Sequence, residues 1–133
     1  MFQLLKECEG AANIVISGHI RPDGDCVGSC MATYLFLKKT IRFIFFTRLL
    51  ICPKKTMPKA DIRIFLEQPA DIFSCIQDFD LIDTTFQMEA EPDVFIALDC
   101  EKTRLGEAEK IFDKAKKTIN IDHHISNEHG CGD

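Results

Sequence analysis

The chain has no Cys-x-x-Cys pair: its seven cysteines (Cys8, Cys26, Cys30, Cys52, Cys75, Cys100 and Cys131) are odd in number and irregularly spaced. That excludes a zinc ribbon or a dithiol redox motif. Unpaired thiols fit a reducing, cytoplasmic compartment. Cys26 and Cys30 stand i, i+4 on an expected helix and read as small buried hydrophobes rather than a ligand pair. Excess positive charge is missing too. The net charge is -5, whereas a protein holding nucleic acid on a broad surface needs clustered Lys and Arg. Any phosphate ligand must therefore be gripped locally, with metal ions as the natural means. The longest apolar run, Ile41 to Cys52, is broken by Arg42 and Arg48 and falls short of the ~20 residues of a bilayer span. No membrane segment is expected. The opening MFQLLKECEG carries two acids and no basic cluster ahead of an apolar stretch, so no secretory signal is expected either.

What is present suits one globular domain: 133 residues, 46% hydrophobic and 28% charged, enough to bury a single core. Phe2, Leu5 and Cys8 recur at helical spacing up to Gly10, predicting a short first helix. Asn13 to Ser17 (NIVIS) is a β-branched run of the kind that forms a strand buried on both faces. Its loop, Gly18 to Gly24, contains Pro22. From about Asp25 to Lys39, Val27, Met31 and Leu35, with Cys30, Tyr34 and Leu37 beside them, predict a helix packed on a sheet. Ile62 to Leu66, Val94 to Leu98 and Thr118 to Ile121 read as further strands. Leu105, Ala108, Ile111, Phe112 and Ala115 form one apolar helical stripe, and Lys110, Lys114, Lys116 and Lys117 lie largely off it as a solvated face.

Strands alternating with helices imply βαβ units and a mostly parallel α/β sheet of Rossmann-like form with flanking helices. Ligands of such sheets bind beyond the carboxyl ends of the strands. One stretch departs from this pattern. Lys38-Lys39-Thr40 recurs as Lys54-Lys55-Thr56, and the basic, aromatic segment between them is unlike its surroundings. Removing Ile41 to Thr56 leaves a normal helix-to-strand connection. Residues 41–56 therefore read as an insertion, folded as an added strand, a hairpin or a loosely held segment.

The polar clusters fall at the strand ends. His19, Asp23 and Asp25 share the first loop, where an Asp-Gly turn is the bland alternative. Asp99 follows the apolar VFIAL run, where a carboxylate must be hydrogen-bonded or cation-bound; a helix cap is its bland reading. Asp122, His123 and His124 follow the last strand. Carboxylates and imidazoles without thiolate suit Mn²⁺ or Mg²⁺. The donors outnumber the needs of one ion, and a bridging carboxylate would hold two cations ~3.5–4 Å apart for in-line attack on phosphate.

The segments HIRPDGDCVGS, ALDC and NIDHHIS resemble successive motifs of the DHH phosphoesterases, and in spacing most resemble the bacterial nanoRNase/pAp phosphatases, relatives of RecJ-type exonucleases and manganese inorganic pyrophosphatases. The resemblance covers nearly all of the chain except Ile41 to Thr56. It implies that His19, Asp23 and Asp99 hold one metal, and Asp25, Asp99 and His123 the other. Asp99 is then the bridge, His124 faces the scissile phosphate, and Asp122 orients its neighbours. It names no substrate-binding residue here. Gly28 and Ser29, at the helix start, are suited either to supporting an anion or to packing. Arg21 and His129 read as surface residues.

Members of that family continue to a further aspartate ligand and a substrate-binding DHHA1 domain. This chain stops at Asp133, nine residues after His124. The expectation is a partial DHH domain over 1–133, truncated before its C-terminal part, with one metal site lacking a ligand. Open apolar surface would then favour a homodimer. By resemblance the activity is Mn²⁺-dependent hydrolysis of short oligoribonucleotides or 3′-phosphoadenosine 5′-phosphate (pAp). The alternatives are a non-catalytic metal- or nucleotide-binding fragment, or a pyrophosphatase or cyclic-dinucleotide hydrolase.

Overall fold

Ile14, Val15 and Ile16 are fully buried because their strand, β1 (Asn13–Ser17), lies at the centre of a sheet. In this computed structural model, which describes residues 2–51, 60–125 and 127, β2 (Asp61–Phe65) and β4 (Val94–Leu98) flank β1. The short β3 (Ile82–Asp83) and β5 (Thr118–Ile121) are the outer strands. The order is β3-β2-β1-β4-β5 and every pairing is parallel. The chain moves outward from β1 to β2 and β3, then returns to the other side of β1 for β4. That reversal falls at the carboxyl ends of β1 and β4, the place where ligands of open parallel sheets bind.

Alternation along each strand sends side chains to two cores. Ile14, Ile16, Ile64 and Ile96 meet Val27, Met31, Tyr34 and Leu37 of α2 (Gly24–Ile51) on one face. Val15, Phe65, Phe95 and Ala97 meet Leu105, Ala108, Ile111 and Phe112 on the other. Cys26 and Cys30 are wholly buried in the first core, and the Cys30 thiol is pushed well up by its hydrogen bond with Cys26 and by burial. Both pack as the sequence reading expected. The first helix, α1 (Phe2–Glu7), is followed by Gly10 at φ +82°.

Two expectations are corrected. Leu105 to Ala115 is not one helix: 3₁₀ turns at Lys102–Arg104 and Gly106–Ala108 precede a single α turn, α3 (Glu109–Phe112). Gly106 sits at φ +59°, a conformation a right-handed helix cannot run through. Residues 41–51, expected as a strand, hairpin or loose segment, continue α2. With no Gly or Pro between Ser29 and Cys52, nothing stops the helix there, and propagation is easier than new nucleation. The rest of 41–56 lies outside the described residues. Among the described residues, no helix is long and apolar enough to cross a membrane.

Asp93 fastens the amino ends of three strands. Its Oδ2 accepts from the backbone N–H groups of Ala12 and Asn13 at 2.8 and 3.0 Å, and its Oδ1 accepts from Lys116 Nζ at 2.7 Å. The Lys116 ammonium, then those two N–H groups, hold its pKa at about 2. A depressed carboxylate stabilises the fold above the ordinary Asp range and loses that contribution as pH falls through its folded value. Asp93→Ala is expected to destabilise the chain by about 1–3 kcal/mol at neutral pH. Denaturant melts should show this deficit shrinking between pH 4 and pH 2, and a constant deficit would refute the assignment.

Candidate metal centre

Backbone positions come first. The loop after β1 is pinned on two sides: Ile20 N–H donates to the Arg104 carbonyl at 2.8 Å, and Arg21 N–H donates to Glu67 Oε2 at 2.9 Å. Asp23 ends the loop as the cap of α2, its Oδ1 accepting from the N–H groups of Asp25 and Cys26 at 3.1 Å each. Those bonds, Cys26 foremost, lower its pKa. Capping and metal binding do not compete here, because a carboxylate has acceptor sites to spare on both oxygens.

Asp99 stands at the end of β4 in left-handed conformation, φ +60°, with its N–H bonded to the Ile121 carbonyl at 3.0 Å. It caps no helix. The next 3₁₀ turn begins after Glu101 and has no side-chain cap. Asp99 is 6% exposed, and its Oδ1 is a buried oxygen without a hydrogen-bond partner among the described residues. Around it are imidazole nitrogens: His123 Nε2 at 3.3 Å and His124 Nδ1 at 3.5 Å from Oδ1, and His19 Nε2 at 3.7 Å from Oδ2. His19 Nε2 is also 3.8 Å from Asp23 Oδ1, and His123 Nε2 is 3.3 Å from Asp25 Oδ2.

These spacings fit a shared cation. Donors bound at ~2.0–2.2 Å to one ion lie about 2.8–3.6 Å apart across octahedral or tetrahedral edges, so the gaps suit donors slightly wider than a closed site. Among the described residues there are two groups whose donor atoms lie mutually within 4.8 Å: His19 with Asp23 and Asp99, and Asp99 with His123 and His124. Asp99 belongs to both. An orphaned buried carboxylate oxygen costs stability unless a cation or proton satisfies it, and the donor set, oxygen and imidazole without thiolate, suits Mn²⁺, Mg²⁺ or a similar ion.

Tautomers refine the groups. His19 Nδ1 lies 2.7 Å from the Ile20 carbonyl oxygen, which can only accept, so Nδ1 carries the proton and Nε2 offers its lone pair to the centre. His124 Nδ1 lies 2.7 Å from Asp122 Oδ1, so it too is a donor and cannot be a ligand atom. His124 is thereby left with Nε2 as its remaining ring nitrogen, and Asp25 reaches the second group through His123. Burial raises the Asp122 pKa, but the bonds from His124 and Asn127 outweigh it and hold the group below the usual range. The same Asp122 bond raises the pKa of His124.

Arg104, Asn120 and Asn127 escaped the sequence reading. Arg104 makes no ion pair among the described residues, and its backbone is bonded to the loop that carries His19 and Asp23; its charge is the smallest of the influences acting on Asp23 and His124. Its position five residues after Asp99 gave a weak clue. An Asn inside the otherwise apolar TINI strand gave a better one. His129 and Asp133 lie outside the described residues.

Residues 13–131 match the model of the DHH family, N-terminal domain. No curated protein matches the chain. The fold is shared with the crystal structure of an exopolyphosphatase-related protein from Bacteroides fragilis, at a TM-score of 0.72 and 24% identity, covering 98% of this chain and 36% of that one. The chain thus spans little more than a third of that structure. With the family match running across nearly all its length, the chain belongs to the DHH family, of which it carries the N-terminal domain.

Proposed function

We propose that the chain is the metal-binding domain of a phosphoesterase that hydrolyses short oligoribonucleotides or pAp. The observation that carries the reading is the buried, unpartnered Asp99 Oδ1, flanked by imidazoles from the DHH segment and sharing its carboxylate with His19. Asp99 would bridge two ions, His19 and Asp23 completing one site, His123 and Asp25 contributing to the other. Divalent cations held by these residues would supply Lewis-acid charge at the phosphate and lower the pKa of an attacking water.

The remaining work belongs to the protein. Asp122, bonded to Nδ1, favours the protonated form of His124, and only in that form does Nε2 also carry a proton to donate to a phosphate oxygen as charge develops. Arg104 grips a second oxygen of the same group, a task suited to a guanidinium that makes no ion pair among the described residues. Losing a charge-assisted bond costs about 1.5–3 kcal/mol, so Arg104→Ala is expected to raise KM about 10–100-fold.

The test is turnover by the 133-residue chain with Mn²⁺. The substrates are a di- to pentaribonucleotide set, pAp and linear polyphosphate. Metal-dependent release of mononucleotide or phosphate from the first two supports the proposal. Polyphosphate alone being cleaved would shift the substrate toward the chemistry for which the exopolyphosphatase-related protein is named. No turnover of any substrate would overturn the reading.

A further inference from the structure

His124 is held by more than its neighbour. The side chains of Asn120 and Asn127 form a chain of hydrogen bonds that begins on the backbone after β4 and ends on Asp122. Asn120 Nδ2 donates to the Cys100 carbonyl at 2.8 Å. Asn127 Nδ2 donates to Asn120 Oδ1 at 2.8 Å and to Asp122 Oδ2 at 2.8 Å. Asp122 Oδ1 then takes His124 Nδ1 at 2.7 Å and the His124 N–H at 3.1 Å.

Only one arrangement of protons satisfies this series. The Cys100 carbonyl can only accept, so Asn120 must turn its amide nitrogen to it and its oxygen to Asn127. Asn127 must then present its amide nitrogen, whose two protons go to Asn120 and Asp122. The ionised Asp122 has no proton to give, so His124 Nδ1 must donate. The imidazole is thereby left with one orientation and one free atom, Nε2.

We propose that Asn127, with Asn120 behind it, is the positioning residue that holds Asp122 and through it points His124 at the phosphate. The proposal rests on the reading of His124 given above and adds residues that reading does not contain. Asp122 has a side chain only 3% exposed, so an Oδ2 without Asn127 is left with little water to replace the lost bond. Its carboxylate is then free to rotate, and His124 Nδ1, already 3.5 Å from Asp99 Oδ1, has a second acceptor within reach. Asn127 is placed for this task by a turn, its N–H donating to the His124 carbonyl at 3.1 Å. Asn120 is placed by the strand register opposite Ala97.

Two variants separate positioning from packing. Asn127→Ala removes the amide, while Asn127→Asp keeps its size and shape but cannot donate to Asp122. In the metal-free 133-residue chain, nitrogen-15 and proton NMR should show a resolved, hydrogen-bonded Nδ1–H on His124 that both variants release to exchange. In the Mn²⁺-loaded enzyme both variants should lower kcat about 10–100-fold with little change in KM. Unchanged His124 signals in both variants, or an Asn127→Asp that behaves like wild type, would overturn the proposal. Should the wild-type chain cleave nothing while the variants still release His124, the functional reading fails and the positioning role stands.

Discussion

Asp99→Asn is expected to reduce turnover by at least about 10³-fold, equivalent to ~4 kcal/mol of transition-state stabilisation, without weakening the metal-free fold. The choice of Asn matters. Asp99 sits at φ +60°, where Asn is tolerated and Ala is strained. The substitution therefore removes the charge while leaving the backbone bond to Ile121 in place. The buried Oδ1 lacks a hydrogen bond among the described residues, so replacing the carboxylate by an amide relieves a desolvation cost. The metal-free melting temperature should hold or rise.

With Mn²⁺ at a hundred times its Kd, the wild type should gain about 2.7 kcal/mol of stability, an upward shift on the order of 10 °C for a domain of this size. Asp99→Asn should lose most of that gain, because both donor groups are built on this residue. A variant that melts lower without metal, or that keeps the full shift with it, would show that Asp99 is a structural residue and not a bridge.

The placement of the centre was legible because its residues lie on loops whose strands announce themselves. NIVIS, VFIAL and TINI are short β-branched or apolar runs, each followed by a polar cluster of candidate ligands, and the observed β1, β4 and β5 match them. Parallel pairing then brings the three loops to one edge. Other features had no such signal. Arg104 meets the centre through a backbone bond between its carbonyl and Ile20, a contact between distant segments. Asn127 acts only once a turn has folded it back over Asn120. The α2 extension was hidden by composition: its aromatic and β-branched residues favour strand in isolation, but a helix already formed continues through them.

Gly18→Ala should destabilise the fold by about 1–3 kcal/mol, the usual cost of overfilling a packed site, although the substitution adds one methyl group. A Cβ built at Gly18 falls 2.3 Å from Cys26 Sγ and 3.2 Å from the Leu98 carbonyl oxygen. Cys26 is wholly buried and its N–H is tied to Asp23, so it has little room to retreat. The loop must yield instead, and it carries His19 and Asp23. Displacing them by even ~1 Å is the scale of misplacement that can cost ~10²-fold in rate, so activity should fall more steeply than the loss of stability suggests. Cys26→Ala removes the obstructing sulfur. Combined with Gly18→Ala it should recover part of the lost stability, a coupling of ~0.5–3 kcal/mol typical of residues in contact. Strict additivity of the two substitutions in denaturant melts would show that the loop and the start of α2 are not packed as described.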